Sequence, residues 1–301
     1  MKSELMDTLS EHDRLGIAQQ FDYSKFSLYS LITQSTAIEG STVTEAENQL
    51  FFDEGIPPKK RNLSEVLMNL DLHNAYQLSI RFAKHHRDYS LGLLREISAV
   101  VLKNTGCSYN TALGTFDSSK GDLRKVNVSA GASGKSYINH SKGEGRLKKW
   151  CSSVNEKRKE LLKSEEVYGK YLFTFDSHLD LLTIHPWVDG NGRTARLVMN
   201  QLQFELGLVP AKILKEDKAD YIDALIKARE HHDPSIFSSF MMALHIRNLQ
   251  AEIREFKNPR KLLMMRCSSL DLLGFMALKI EIRYRLIWTD EILLPVSDFL
   301  H

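Results

Sequence analysis

The sequence predicts a mainly helical, all-α protein interrupted by one short β-hairpin. Three observations carry that expectation. Apolar residues recur at three- and four-residue steps through most of the chain. A single glycine- and serine-rich region, from Gly114 to Gly145, breaks the pattern. The 301 residues, 43% hydrophobic and 26% charged, can bury a real core, which excludes wholesale disorder and fibrous architectures.

The elements follow in order. An N-terminal helical segment, residues 1–58, ends at Pro57-Pro58, which read as a turn or linker. From Asn62 to Lys84, Leu63, Val66, Leu67, Leu70, Ala75, Leu78 and Phe82 keep the helical period. A second such run spans Leu91 to Leu102, and a third goes from Val167 to His185. The next begins after Gly190 and Gly192 and stops at Gly207. Further helices are expected from Asp217 to Ala228 and from Ser235 to about Phe256. In the irregular region, Leu123, Val126 and Val128 alternate before an Ala-Gly-Ala-Ser-Gly turn, and Tyr137-Ile138 follow, the pattern of an exposed hairpin. Residues 59–257 therefore read as the core. Asn258-Pro259 open a C-terminal extension, 258–301, whose apolar stretch from Leu270 to Ile280 suits a packing helix, with a dimer contact left open.

Lys and Arg number 40 against 38 Asp and Glu, a balance that argues against a dedicated nucleic-acid binder or a polybasic membrane tail. Cys107, Cys151 and Cys267 form no C-x-x-C pair, so neither a disulfide framework nor a zinc ribbon is indicated. The charged start and the lack of an uninterrupted apolar run of membrane-spanning length lead to the expectation of a soluble, cytoplasmic protein.

One segment stands apart: residues 185–196 read HPWVDGNGRTAR. Pro186 cannot continue a helix, so His185 sits where one ends. Gly190 and Gly192 flank Asn191, a spacing that turns successive backbone N–H groups to one side as an anion nest. The following helix aims its unpaired N–H groups and positive dipole end at the same place. Arg193 and Arg196 lie three apart on its first turns. Two guanidinium groups over such a nest suit a polyphosphate better than a single carboxylate. Asp189 offers a hard oxygen for Mg²⁺. Singly, each residue has an ordinary explanation as cap, turn or solvated face; their coincidence within twelve residues does not.

HPWVDGNGRTAR resembles the signature of Fic-domain proteins, H-x-F-x-D/E-G-N-G-R-x-x-R, at every polar position and both glycines. Trp187 replaces the usual Phe at an apolar anchor. The resemblance spans roughly Asn62 to Leu249. A second match lies upstream: Ser35-Thr36-Ala37-Ile38-Glu39-Gly40 fits the family's inhibitory pattern S/T-x-x-x-E-G/N.

The resemblance implies a protein adenylyltransferase, moving AMP from ATP to a Ser, Thr or Tyr hydroxyl of a target protein, with self-modification also open. His185 would be the general base, an imidazole of ordinary basicity. Asp189 would hold Mg²⁺, and Gly190, Asn191 and Gly192 would cradle the phosphates through backbone and amide N–H groups. Arg193 would meet the β-phosphate and Arg196 the γ-phosphate. In relatives of this build the inhibitory Glu, here Glu39 beside Ser35 and Gly40, pairs with the second motif Arg and takes the γ-phosphate's place. The hairpin would be the family's flap, whose strand over Arg124, Lys125, Val126, Asn127 and Val128 pairs with an extended target segment. Tyr221 and the helix after it resemble the adenine-side wall.

Competing readings are weaker. Ser129 to Ser136, SAGASGKS, misses a P-loop by its first glycine, lacks a buried strand before it, and is followed by the interrupting Gly143 and Gly145. His178 with His185, or His231, His232 and Asp233, lack metal-hydrolase spacing. Removal of AMP from a modified protein, or a non-catalytic nucleotide-binding module, remains compatible with the same residues. A homodimer is compatible with all of them.

Overall fold

The computed structural model describes residues 1–20, 22–130 and 135–258. Contacts divide the chain into two units, 1–249 and 250–301; of the second, only the closing turns of one helix and its end are described. Ten helices occupy the described residues. They are α1 (Lys2–Arg14), α2 (Tyr23–Ile38), α3 (Glu45–Glu54), α4 (Leu63–Lys84), α5 (Leu91–Val101), α6 (His140–Leu161), α7 (Val167–Ile184), α8 (Asn191–Glu205), α9 (Lys218–His231) and α10 (Pro234–Phe256). Between α5 and α6 lie two antiparallel pairs: β1 (Ser108–Thr111) with β2 (Gly114–Asp117), and β3 (Ser129–Ala130) with β4 (Lys135–Ser136). The fold is mainly helical, as the periodicity predicts.

Helix α8 is the axis of the first unit and is buried almost all round. On one side Leu72, Leu94, Ile97, Leu147, Trp187 and Leu197 form an apolar cluster drawn from α4, α5, α6, α8 and the loop before α8. On the other, Leu5, Tyr171, Phe175, Met199, Phe237 and Met241 join α1, α7, α8 and α10. Each fully buried Leu or Phe contributes about 1.5–3 kcal/mol. Many polar residues of α8 are buried too, and three of them find partners on neighbouring helices. Tyr76 Oη donates to Asn200 Oδ1 at 2.7 Å, Ser79 Oγ to Gln201 Oε1 at 2.8 Å, and Gln203 Nε2 to Thr174 Oγ1 at 3.1 Å. Buried polar groups stay only where such bonds form, so these contacts fix the register of α8 against α4 and α7.

Helix ends follow local chemistry. Thr44 and Glu47 form a capping box on α3, Ser90 Oγ caps α5, and Asn139 Oδ1 caps α6. Helix α6 departs from the sequence expectation, since Gly143 and Gly145 lie inside it instead of interrupting it. Each glycine costs about 1 kcal/mol relative to Ala. Burial of Leu147, Trp150, Cys151 and Val154 outweighs that. The β1–β2 hairpin is likewise an element the sequence pattern does not announce. Pro57-Pro58 lie between α3 and α4. The expected packing helix from Lys261 onward, with Cys267, lies outside the described residues, as do residues 131–134 of the P-loop-like stretch. Among the described residues no helix is long and apolar enough to cross a membrane.

Candidate active site

The motif forms a tight loop between α7 and α8. Because Pro186 follows, His185 closes α7 in the left-handed region, φ +48°, a conformation costing a non-glycine residue about 1–2 kcal/mol. The loop around it is over-determined. Trp187 is fully buried, and its indole N–H donates to the Gly121 carbonyl at 3.3 Å. Asn191 bridges back to Trp187: its Oδ1 accepts from the Trp187 N–H at 3.1 Å and its Nδ2 donates to the Trp187 carbonyl at 2.9 Å. The Asn191 amide, expected to face phosphate, is thus committed to the loop; its backbone N–H opens α8.

Two glycines are dictated by close approach. Gly190 has φ +73°, and a Cβ there would meet the Leu102 side chain at 3.0 Å. A Cβ on Gly192 would lie 2.8 Å from Glu39 Oε1 and 3.0 Å from Arg196 Nη1. Only glycine leaves room for that carboxylate above the helix N-terminus.

Both motif arginines are buried. Arg193 reaches Asp189 Oδ2 at 3.5 Å, while its Nε and Nη1 are buried with no hydrogen-bond partner. A buried guanidinium with two idle donors is costly unless an anion meets it. Arg196 is fully engaged. Its Nε donates to Ser35 Oγ at 2.8 Å, and its Nη2 donates to the Ser35 carbonyl at 3.0 Å and to Glu39 Oε1 at 2.6 Å. It also hydrogen-bonds the Tyr221 hydroxyl, which lies 2.7 Å from His178 Nε2. Ser35 and Glu39 stand four apart on the end of α2, so one helical face delivers both, and Gly40 follows at φ +103°. Thr36 Oγ1 and Asn48 Nδ2 both donate to Asn69 Oδ1, which pins α2 to α3 and α4. Burial alone would raise the Glu39 carboxyl, but the Arg196 charge and hydrogen bond, with Arg193 and Lys218 behind, hold it below its usual range.

Asp189 is 57% exposed and its Oδ1 accepts from the Gly190 N–H at 2.6 Å. Among the described residues no group of three or more His, Cys, Asp or Glu side chains is arranged to hold a metal. One open carboxylate suits Mg²⁺ that keeps its waters and takes its other ligands from phosphate.

His185 departs from the expectation of ordinary basicity. Burial first, then the charges of Arg124 and Arg229, push its imidazole down to about 4. The ring is neutral at pH 7. The flap segment also differs from expectation. Residues 124–128 form no strand; the paired residues are Ser129 with Ser136 and Ala130 with Lys135. Arg124, expected to face a target, is buried and wired inward, donating to the carbonyls of His185 at 2.8 Å, Val126 at 2.7 Å and Ile138 at 2.6 Å. Lys125 Nζ donates to the Thr115 carbonyl, Asn127 Oδ1 accepts from the His140 N–H, and the Val128 carbonyl accepts from the Tyr137 N–H. Within the segment, the Val126 carbonyl is taken by Arg124 Nη1, the Val128 carbonyl by the Tyr137 N–H, and the Arg124 N–H by the Pro186 carbonyl. Sequence reasoning missed Tyr137 and Arg229 beside His185, because their contact joins residues far apart in the chain. The hydroxyl of Tyr221, expected with the helix after it to wall the adenine side, lies between Arg196 and His178.

Comparison with known proteins agrees with this geometry. The model of the Fic/DOC family matches residues 88–203, a stretch holding α5 to nearly the end of α8. A protein adenylyltransferase Fic of Nematostella vectensis is 38% identical over 91 residues, 30% of this chain and 21% of that protein. One of Drosophila grimshawi is 27% identical over 209 residues, 68% of this chain and 39% of that protein. The chain thus spans well under half the length of these curated relatives. A Fic-domain-containing signaling protein from Bacteroides thetaiotaomicron shares the fold, with a TM-score of 0.69 over 84% of this chain and 97% of that one at 19% identity. The family match falls on the helices that carry the motif and the shared fold surrounds it, so residues 88–203 are similar to the Fic/DOC family and the chain has a Fic-like fold.

Proposed function

We propose that this chain is a protein adenylyltransferase that moves AMP from ATP to a hydroxyl side chain of a protein and is restrained by its own Glu39. The observation that carries the reading is the arginine pair at the start of α8. Arg193 is buried with two idle donors, and Arg196 is neutralised by a carboxylate from another helix. That is a polyphosphate site with one position filled from within. The names of the two Fic relatives above support the same reaction class.

In this reading the acceptor oxygen attacks the α-phosphorus, the bond from that phosphorus to the bridging oxygen breaks, and pyrophosphate leaves. The acceptor's proton passes to His185 Nε2, since Nδ1 is buried within the protein. A neutral imidazole can accept it without first losing a proton of its own. Asp189 would hold Mg²⁺, which would supply charge neutralisation at the α- and β-phosphates. The N–H groups that open α8, with Arg193 and Arg196, orient the phosphates; positioning and fixed charge supply most of the rate.

Glu39 sets the resting level. Opposite charges about 4 Å apart attract by roughly 4 kcal/mol at an effective dielectric of 20. Desolvation reduces this to a net on the order of 1–3 kcal/mol, enough to weaken productive ATP binding about tenfold to a hundredfold. The test is incubation with α-³²P-labelled ATP and Mg²⁺, comparing the parent, Glu39→Gly and Glu39→Gly/His185→Ala. Label in Glu39→Gly alone is expected. No label in any lane, with nucleotide binding retained by calorimetry, would overturn adenylyl transfer.

A further inference from the structure

His185 is the proposed base, and its ring is held only weakly by hydrogen bonding: Nδ1 is buried without a well-formed partner, its nearest polar neighbour being the backbone of Leu182 one turn back in α7. What holds it is another ring. Tyr137, just past β4, lies flat on the imidazole, with centroids 3.7 Å apart and planes 15° from parallel. The Arg229 guanidinium of α9 lies 4.5 Å from the Tyr137 centroid. It cannot share the face that His185 occupies, so it covers the opposite one. The result is a three-layer stack, Arg229 on Tyr137 on His185, joining α9, the hairpin and the end of α7.

The backbone fixes the middle layer. The Tyr137 N–H donates to the Val128 carbonyl at 3.0 Å across the hairpin. The next carbonyl, Ile138, accepts from Arg124 Nη2, and Arg124 Nε donates to the carbonyl of His185 itself. One buried side chain therefore ties the hairpin arm that carries Tyr137 to the residue Tyr137 covers.

We propose that Tyr137, braced by Arg229, is the positioning residue for the His185 imidazole. Its ring, lying flat on the imidazole, fixes the plane in which Nε2 meets an acceptor hydroxyl and keeps water from that face. Stacked aromatic pairs and a cation over a ring are attractive arrangements of this kind. The charged and titratable groups around the imidazole are Arg124 from the segment before the hairpin, Arg229 from α9 and Tyr137 itself. Burial and both cations disfavour the imidazolium, in keeping with a ring shielded on this side.

The inference rests on the adenylyl-transfer reading for its consequence, so the test has an arm that needs no activity. Histidine ¹⁵N signals of the full chain are titrated by NMR, with His185 assigned by loss of its signal in His185→Gln. Tyr137→Ala, which removes the ring, is expected to raise the His185 midpoint by about one to two pH units toward the ordinary value near 6.5. Tyr137→Phe, which keeps the ring, is expected to keep the midpoint. Tyr137→Leu, which fills the space without an aromatic face, is expected to fall between and serves if the alanine variant does not fold. A midpoint that stays put in the alanine or leucine variant would overturn the proposal. In the activity arm, Tyr137→Ala in the Glu39→Gly background is expected to lose about twofold more transfer at pH 6 than at pH 8, as half the imidazole becomes protonated near its new midpoint. If Glu39→Gly alone transfers nothing while the midpoint still moves, the reaction assignment fails and the stack stands. If Glu39→Gly transfers and the midpoint does not move, the stack fails and the reaction stands.

Discussion

Two buried arginine–glutamate pairs in this molecule use the same chemistry to different ends. Arg158 of α6 binds Glu205 of α8 through both carboxylate oxygens, at 3.0 and 3.1 Å, and the Glu205 side chain is 0% exposed. The same guanidinium donates to the Arg87 carbonyl at 2.9 Å and to Asp88 at 2.5 Å, while His86 Nδ1 lies 2.8 Å from Glu205. Arg196 is as deeply buried, but its partner Glu39 is 35% exposed and comes from the last residue before a turn. The first pair is closed on both sides. The second has one member at the rim, where water can solvate it once it lets go. Arg196 would still keep Ser35 and Tyr221. Depth of the acid, more than contact distance, separates a structural pair from a releasable one.

The largest test of that contrast is Glu205→Ala. Removing Glu205 takes away the buried half of the pair and leaves Arg158 with only the half-exposed Asp88 and the Arg87 carbonyl, so the loss is expected toward the lower end of the about 3–5 kcal/mol that breaking a buried pair costs. Chemical denaturation of Glu205→Ala and Glu39→Ala side by side measures both pairs. The expected outcome is a loss of that size for Glu205 and a far smaller one for Glu39. Equal losses would remove the distinction.

The sequence reveals the second pair and hides the first. HPWVDGNGRTAR packs its chemistry into adjacent residues, and the pattern at 35–40 is local as well, so a reader can match Glu39 to Arg196 before any fold is known. The helices that frame the site are legible for a related reason: α4, α5, α7 and α8 carry their apolar stripes in their own sequence. Helix α6 was not legible, because its two glycines mimic a break and only tertiary burial of Leu147 and Trp150 decides the matter. Arg124 looks like a surface residue within an alternating stretch; its three carbonyl partners are assembled by the fold. The stack on His185 and the Arg158–Glu205 network depend on contacts between segments tens of residues apart, which no local spacing announces.

Acid sharpens the comparison at intermediate size. His178 backs Arg196 through Tyr221, and burial pushes its imidazole down to about 4, as burial and nearby cations do for His185. In the unfolded chain both titrate near 6.5. Between those values the unfolded state binds protons that the folded state refuses, so stability is intact above about pH 6.5 and falls as pH drops toward 4. For the fully buried His178 the loss is on the order of 3 kcal/mol. Unfolding free energies from pH 7.5 to 4.5 are expected to decline in the parent and to decline less steeply in His178→Gln. Parallel slopes would mean that the acid sensitivity lies away from the Arg196 side.

The smallest expected effect is also the most telling for the releasable pair. Glu39→Gln keeps the shape and a hydrogen-bond acceptor while removing the charge. Opposing terms nearly cancel: the attraction to Arg196 is lost, but so is the cost of holding a carboxylate against the burial that works to raise its pKa. Arg196 retains its bonds to Ser35 and Tyr221, so the guanidinium is not stranded. The folding change is therefore expected below about 1 kcal/mol at pH 7. Because the paired carboxyl titrates below its usual range, its contribution is present at neutral pH and disappears as pH falls through that lowered midpoint. ATP affinity, read by calorimetry on the same protein, is expected to rise even though stability barely moves. A stability loss as large as that of Glu205→Ala, with no gain in ATP affinity, would make Glu39 a structural residue and leave Arg196 permanently occupied.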